Sequence, residues 1–479
     1  MNQLFAVAKI SVTLTFLIFP LFYGAFLRRK NKLTADALCG LLLISGAALR
    51  FLYILYTDAS TRQHDVGDLL KQNSGHTGYM LYLLFHKSLP DFDPRGYNQF
   101  YHPPLHHVIG ALVFAALRAM GLRYRVIGGE ILQLFTAVYS AVFSVLMYKT
   151  LRLLDIKGKP LVLCTAVGAF HPTLIILAGS INNDILSIML GMAAVYFTVR
   201  WSRSLRFSDI IAAALSMGLG MMTKLSVGLL APAMAAVFLT VFIKQRKQWA
   251  KLLGEFASFA SVCVPLGMWW PVRNLVRFGV PINYVPPIGS DSGQYIDVPT
   301  LKRLLDFSPQ LIKSPFTQWE WYGDPYNEYN PVIALLKNAM FDEDMPFIGS
   351  ITLQSFCTAL FFAGAVTAII SVAAVALVFS KKIKLPFELR LMLCVMYAVV
   401  FGSYIVFCLN YPQVCTQNMR YCVPLIFSGT AAMGLMMQRE GRSGRAVRLL
   451  SRAAKMAIAS MCALSAFVYT AEFFWEAFK

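Results

Sequence analysis

The chain has 479 residues, of which 57% are hydrophobic and only 14% are charged. A soluble domain carries about 25% charged residues, so this composition excludes a soluble globular protein. The net charge of +19 does not indicate nucleic-acid binding, because the basic residues form short clusters between apolar runs, as expected for cytoplasmic turns.

The first apolar run ends at a basic cluster between residues 28 and 32. Such a cluster places this end of the run in the cytoplasm and the N-terminus outside. The competing interpretation is a signal peptide, which carries its basic residues before the apolar run and a small-residue cleavage site after it. Neither feature is present, so we interpret the run as a membrane span.

Eleven further apolar runs approach the length of roughly 20 residues that crosses a bilayer. They predict spans near 35–57, 128–149, 160–179, 185–200, 208–222, 225–243, 252–270, 351–379, 388–409, 420–437 and 454–471. Basic turns between them alternate as the positive-inside rule requires. We therefore predict an all-α polytopic protein of about 12 transmembrane helices, forming a single integral-membrane domain over 1–479, in the plasma (inner) membrane.

Two long loops, 58–127 and 271–350, are predicted on the outer face. The first includes an apolar run over 102–121, which we interpret as an amphipathic surface helix, because counting it as a span would invert the charge bias of every later turn. The second mixes aromatic residues with carboxylates around Trp319 and Trp321. That mixture suits acceptor binding, and it also suits an interfacial aromatic belt.

Polar residues cluster at four outer-facing places. These are His64-Asp65-Val66-Gly67-Asp68, the stretch from Tyr101 to His107, Asn182-Asn183-Asp184, and Asn418-Met419-Arg420-Tyr421. Their positions at the outer ends of spans predict that they contribute to one site.

The chain resembles the GT-C membrane glycosyltransferases, such as the protein O-mannosyltransferases and the lipid A aminoarabinose transferase (glycosyltransferase family 39-like). The resemblance depends on Asp65 in the first outer loop, His102-Pro103-Pro104-Leu105, Asp184 in the short outer loop between the spans 160–179 and 185–200, and Arg420-Tyr421 before a late span. It implies a GT-C-like bundle with juxtamembrane helices on the outer face. It also implies transfer of a sugar from a polyprenyl-phosphate carrier to a hydroxyl of a lipid, glycan or protein acceptor, among membrane lipids.

Such a transfer needs one base for the acceptor hydroxyl and cations for the charge that grows on phosphate. We predict Asp65 as the base; the alternative is an N-cap of the first surface helix. His64 either orients Asp65, joins a metal site or is an ordinary surface histidine. By resemblance, Asp184 is the second acidic residue, contacting acceptor or metal, and its alternative role is again a helix start.

The candidates for phosphate binding are His102, Arg273 and Arg420, followed by Lys224. Tyr421 stands beside Arg420, and the alternative for this pair is an anchor at the membrane interface. The three histidines of 102–107 invite a zinc interpretation, but their spacing matches no His-Glu-x-x-His motif. No metal ligand is assigned, and a divalent ion stays open as a cofactor.

Two other functions fit parts of the pattern. A lipid-linked glycan polymerase or ligase shares the substrates and the outer-face site. A lipid or sugar transporter (flippase) also has about 12 spans, but it is expected to show internal repeats and ionisable residues near mid-membrane. The chain shows no repeat between its halves, and Arg50 is the exception among its span centres.

Overall fold

The computed structural model of the chain describes residues 2–67, 74–343, 351–381, 383–442 and 444–477. Regular structure in these residues is helical, apart from one antiparallel bridge between Tyr295 and Gln413. The α-helices, in chain order, are α1 (Asn2–Arg29), α2 (Ala35–Tyr56), α3 (Gly75–His86), α4 (Leu105–Ala119), α5 (Tyr124–Leu153), α6 (Gly158–Phe170), α7 (Pro172–Gly179), α8 (Asp184–Ser204), α9 (Phe207–Met221), α10 (Ala231–Lys244), α11 (Trp249–Phe278), α12 (Thr300–Leu305), α13 (Pro331–Phe341), α14 (Ile351–Leu377), α15 (Phe387–Asn410), α16 (Pro424–Gln438) and α17 (Arg445–Ala477).

Within the described residues, ten helical segments are long and apolar enough to cross a membrane. They contain α1, α2, α5, α6 with α7, α8, α10, α11, α14, α15 and α17. A bent pair, Val414–Tyr421 with Pro424–Gln438, makes eleven if it counts as one span. The twelfth predicted span corresponds to α9, which has only 15 residues. The predicted all-α polytopic fold is confirmed, and the chain is an integral multi-pass membrane protein.

The end of α11 and the bounds of the run predicted at 102–121 differ in detail from the predictions. Helix α11 runs through Pro271 to Phe278, so Arg273 lies in a helix rather than in the following loop. The run predicted at 102–121 forms α4, whose 15 residues extend about 22 Å and fall short of a bilayer. Asp68 and Asp344 lie outside the described residues.

The chain divides into two compact units. The first unit comprises Met1–Tyr56, Met147–Ile176 and Pro287–Lys479, and the second comprises Thr57–Leu146 and Leu177–Pro286. In the first unit, α14 packs against α16 and α17, and α2 packs against α6. In the second unit, α8 packs against α9, α9 against α11, and α3 against α4.

Arg50, the exception among the predicted span centres, supports a break in another helix of the first unit. Pro172 has no N–H, so the Gly168 carbonyl four residues earlier has no helical donor. The guanidinium of Arg50 is buried and donates hydrogen bonds to the carbonyl oxygens of Gly168 (2.9 Å), Ala169 (2.7 Å) and Gly46 (2.8 Å). A side chain at Gly46 would place its Cβ 2.6 Å from the Ala169 oxygen. Glycine therefore allows the approach of α2 and α6 that brings Arg50 to these carbonyls.

We expect Arg50→Met to destabilise the protein by about 2 to 4 kcal/mol, because each buried carbonyl left without a donor costs about 1–3 kcal/mol. The apparent melting temperature of the purified protein in detergent measures this loss. Arg29→Met is the control, since Arg29 is exposed and such surface changes stay within about 0.5 kcal/mol. Equal melting temperatures for the two variants would contradict the role of Arg50.

Candidate functional site

The candidate base, Asp65, lies in a turn of the second unit. Its φ of 58° is in the left-handed region, which aspartate and asparagine enter more readily than most residues. Its side chain is exposed, whereas the neighbouring His64 is buried. Helix α3 begins after Ser74, so Asp65 does not cap that helix. The exposed carboxylate is thus held at the surface by a specific backbone conformation.

Two glycines join this turn closely to the start of α3. Gly67 (φ 78°) and Gly75 (φ 69°) both have left-handed φ values. A Cβ on Gly67 would overlap the Ser74 carbonyl, and one on Gly75 would overlap Val66. The backbone N–H of His76 reinforces this contact, because it donates a hydrogen bond to the backbone carbonyl of Asp65 at 2.9 Å. Any other residue at either glycine would push the turn away from the helix.

Gln63 attaches the same turn to the connection between α7 and α8. Its amide nitrogen donates to the Gly179 carbonyl (2.8 Å), and its amide oxygen accepts from the Ile181 N–H (3.0 Å). Asp65, two residues later, is therefore tied to the loop that leads into Asp184.

Asp184 is the first residue of α8 and pairs with Lys224, which follows the end of α9. The Lys224 ammonium donates to the Asp184 carboxylate, and the two side chains are 14% and 3% exposed. The Asn182 side chain accepts from the Asp184 N–H (3.0 Å), and the Asn183 amide donates to the Thr223 carbonyl (3.1 Å). The lysine thus has the polar partner that its position between apolar runs requires.

The segment that carries His102 meets the same two connections. The Leu105 N–H donates to the Met222 carbonyl at 3.1 Å, next to Lys224. His106 donates through Nε2 to the Ile181 carbonyl at 3.0 Å, in the loop that Gln63 also binds. The second unit thus joins the segments of Asp65, His102, Asp184 and Lys224 through a continuous set of hydrogen bonds.

Three histidines near His102 are buried. Burial lowers the pKa of His76 and of His107 well below the usual 6.5, and neighbouring imidazoles add to the effect. Burial also lowers the pKa of His106 to about 4, although its bond to Ile181 and the Asp184 charge act in the opposite direction. These three imidazoles are therefore neutral at pH 7.

Acid should destabilise the protein through His106. Its pKa is about 6.5 in an unfolded chain and about 4 in the fold, so between these values the unfolded state binds more protons. The contribution of neutral His106 is complete above pH 6.5 and decreases as the pH falls, by about 2 kcal/mol at pH 5. Apparent melting temperatures at pH 7.5, 6 and 5 measure it. His106→Gln, which keeps a donor but does not titrate, should show a shallower pH dependence, and equal slopes would refute the assignment.

Arg273 is engaged by the loop after α3. Its guanidinium donates to the Pro90 carbonyl (2.5 Å) and the Asp91 carboxylate (3.1 Å), and it lies 4.7 Å from the Trp270 ring centroid. Arg277 binds the same carboxylate. These contacts give Arg273 a role in fixing the loop, beside the phosphate role predicted from its position.

Arg420 and Tyr421 lie in the first unit, in a short 3-10 turn over Met419–Tyr421. The Arg420 guanidinium is buried, donates to the Tyr421 hydroxyl at 3.0 Å and lies 5.0 Å from its ring centroid. The Asn418 side chain accepts from the Arg420 N–H (2.9 Å) and donates to the Asp342 carboxylate (2.5 Å). Asp342 has a φ of 65° and a ψ of −171°, a region that is almost confined to glycine. Such strained residues cluster at functional sites, so the strain at Asp342 is consistent with a functional role for the neighbouring turn of Arg420.

A buried ion pair supports that turn. Glu328 and Lys337, both fully buried, are joined at 2.5 Å, and the Gln417 amide donates to the Glu328 carbonyl at 2.5 Å. Burial raises the pKa of Glu328 and lowers the pKa of Lys337, since both charged forms lose water. Nearby, Trp319 packs against a small apolar core that includes Leu311 and Ile333, whereas Trp321 is 74% exposed.

Some residues at the site carried no signal in a single sequence. His76 lies beside His102 and Asp65, but a lone histidine in a polar loop predicts nothing. The spacing of Gly67 and Gly75 was the available clue, because paired glycines mark close backbone approach. Within the described residues, no three histidine, cysteine or acidic side chains are grouped so as to hold a metal ion.

Residues 102–269 match a family model described as dolichyl-phosphate-mannose-protein mannosyltransferase. The matched segment is about a third of the chain and contains His102, Asp184 and Lys224. The predicted resemblance to the GT-C membrane glycosyltransferases is confirmed by this match.

None of the curated proteins compared with the chain matches it. Solved structures similar to the chain include ArnT from Cupriavidus metallidurans bound to undecaprenyl phosphate, with a TM-score of 0.39 and 12% identity over 91% of this chain and 77% of that one. The apo state of the same protein has a TM-score of 0.40 and 12% identity over 91% and 76%.

Proposed function

We propose that the chain is a glycosyltransferase that moves a sugar from a polyprenyl-phosphate carrier to an acceptor hydroxyl on the outer face of the membrane. The observation that carries the proposal is the pair of hydrogen bonds that join the Gln63 side chain to Gly179 and Ile181, which we call the Gln63 bridge. It ties the exposed Asp65 to the loop of Asp184, whose carboxylate pairs with Lys224. Deprotonation of a bound hydroxyl needs a positioned base, and the exposed carboxylate of Asp65, in a turn tied to the loop of Asp184, is the group that would supply it.

The proposed reaction is one displacement at the anomeric carbon. The acceptor oxygen bonds to that carbon as its proton passes to the Asp65 carboxylate. The bond between the carbon and the phosphate oxygen breaks, and its electron pair leaves with polyprenyl phosphate. A phosphate monoester has a second pKa near 6, so this leaving group needs little proton donation. The configuration inverts, and a second carboxylate flanking the bond, as in a glycosidase, is not required.

In this scheme, the buried Asp184 and Lys224 orient the acceptor near the base. His102 binds the carrier phosphate, as a cation when protonated and as a hydrogen-bond donor when neutral. Arg420, with its planar donors beside Tyr421 in the first unit, is proposed as a phosphate ligand. His64 stays behind Asp65 as an orienting group. Each of these proposed roles can be tested by substituting the side chain.

Arg50 argues against the transporter alternative. A transporter places ionisable residues at mid-membrane to bind its substrate. Here Arg50 is occupied by three backbone carbonyls of its own and a neighbouring helix. Its charge therefore has a structural explanation that does not involve a translocated ligand.

The test is release of polyprenyl phosphate from a panel of polyprenyl-phosphate sugars by purified protein in liposomes. Release that depends on an added acceptor supports a transferase, and growth of a lipid-linked glycan would identify the polymerase or ligase instead. Movement of intact donor between leaflets without release would favour the transporter. Assays with EDTA and with Mg²⁺ decide whether a divalent ion takes part, and donor supplied to one leaflet only decides the face.

A further inference from the structure

A column of aromatic rings leads from the interior of the second unit to His102. Five nearly parallel rings contact one another in turn. Phe100, Tyr79 and His107 stack on each other, His107 and His76 meet edge to edge through a hydrogen bond, and His102 lies beside His76. Successive centroids lie 4.6, 4.1, 5.2 and 5.7 Å apart, and the interplanar angles are 13°, 23°, 11° and 12°. The first four rings are buried, and His102 at the end is only partly buried.

The hydrogen bond between His107 and His76 distinguishes these rings from a metal centre. An imidazole binds a metal through a lone pair in the plane of its ring. The in-plane nitrogens that His107 and His76 turn toward each other are 2.9 Å apart and are already joined by that hydrogen bond. The rings of the column restrain one another through these contacts, and His102, the candidate phosphate ligand, is the last of them.

His76 is the member that joins the column to the rest of the site. Its Nδ1 is 2.9 Å from Nε2 of His107, which fixes the rotation of its ring. Its backbone N–H donates to the Asp65 carbonyl at 2.9 Å, and its ring lies parallel to that of His102 with centroids 5.7 Å apart, the separation of an offset contact. A single residue thus contacts both the turn of the candidate base and the candidate phosphate ligand.

We propose that His76 is a positioning residue, which holds His102 in the orientation that binds the carrier phosphate and keeps it in register with Asp65. This inference rests on the proposed function, which supplies polyprenyl phosphate as the ligand of His102. His76 itself is buried and contacts neither sugar nor phosphate. Its effect on the ligand passes through the ring of His102, and this indirect action makes a distinct prediction for double variants.

The test is a double-variant cycle on the full-length chain in nanodiscs, with radiolabelled polyprenyl phosphate as the probe. We expect His76→Ala and His102→Ala each to weaken binding about tenfold, as for loss of a hydrogen bond to a charged group. The double variant should bind no worse than His102→Ala within about twofold, because the first change acts through the second residue. His76→Phe, which keeps a flat ring in the column, should restore binding to within about threefold of wild type.

His86→Ala is the matched control. His86 lies on the same helix, stacks on Tyr82 at 4.0 Å and is exposed, but it is outside the column. We expect its binding to equal that of wild type. Independent, additive losses for His76→Ala and His102→Ala would overturn the proposal, as would wild-type binding by His76→Ala.

A second readout separates this inference from the proposed function. Diethyl pyrocarbonate acylates neutral imidazoles, and mass spectrometry of peptides gives the rate at each histidine. His76→Ala should speed the acylation of His102 several-fold, because the ring loses the neighbour that restrains it and its nitrogens become more accessible, and His76→Phe should not. If wild type binds no polyprenyl phosphate, the proposed function fails, while an unchanged rate at His102 refutes the positioning role itself.

Discussion

Asp65→Asn will lower the rate of sugar transfer at least 100-fold and leave donor binding within about threefold of wild type. A positioned general base contributes about 10²- to 10⁴-fold to a rate, and an amide cannot accept the acceptor proton. Asparagine is the substitution of choice because it also tolerates the left-handed φ of 58° at this position. Alanine would confound loss of the base with strain in the turn. Polyprenyl phosphate release in liposomes gives the rate, and equilibrium binding of the donor gives the affinity.

The control for this experiment is Asp58→Asn in the same loop. Asp58 is exposed, and its carboxylate accepts from the N–H (2.6 Å) and hydroxyl (2.5 Å) of Ser60, so its role is local. Its turnover should stay within about twofold of wild type. If Asp65→Asn turns over at a comparable rate, Asp65 is not the base, and Asp184 becomes the next carboxylate to test.

Lys337→Met should destabilise the protein by about 3–5 kcal/mol, the cost of leaving the Glu328 charge buried without its partner. Both side chains are fully buried, so water cannot replace the lost ammonium. The apparent melting temperature in detergent should fall by several degrees. Lys313→Met, an exposed lysine of the same loop region, should change it little.

The double variant Lys337→Met with Glu328→Gln tests the explanation. Removing both charges leaves no uncompensated ion, so most of the lost stability should return. Gln318 can still donate its N–H to the oxygen of a glutamine at this position. A double variant as unstable as the single one would show that packing, rather than charge, explains the loss.

Much of the fold followed from the sequence because apolar length and basic turns depend on local composition. The predicted spans 185–200 and 208–222 placed Asp184 at the start of one helix and Lys224 just after another, as the structure has them. Their ion pair was not predicted, since it depends on how α8 packs against α9. The end of α11 was also misplaced, because Trp269-Trp270 and Pro271 indicate a boundary that the helix passes.

The candidate site shows the same limit. Asp65, His102 and Asp184 were proposed from residue type and position, and their roles remain predictions. The left-handed turn at Asp65, the Gln63 bridge and the ring column all arise from contacts between segments distant in sequence. Glu328 and Lys337 lie in the predicted loop 271–350, and only the packing of α13 shows that both are buried.

The partners of Arg50 have a consequence for how the chain is made. The carbonyls of Gly168 and Ala169 follow Arg50 by 118 and 119 residues, so they do not yet exist when α2 leaves the ribosome. An arginine at the centre of a helix opposes insertion by about 2.5–3.5 kcal/mol, and the leucines and isoleucines of α2 must offset it alone. The second span therefore enters the bilayer before two of the three carbonyls that bind Arg50 in the fold have been synthesised. During synthesis, the chain depends on the order in which its own segments emerge.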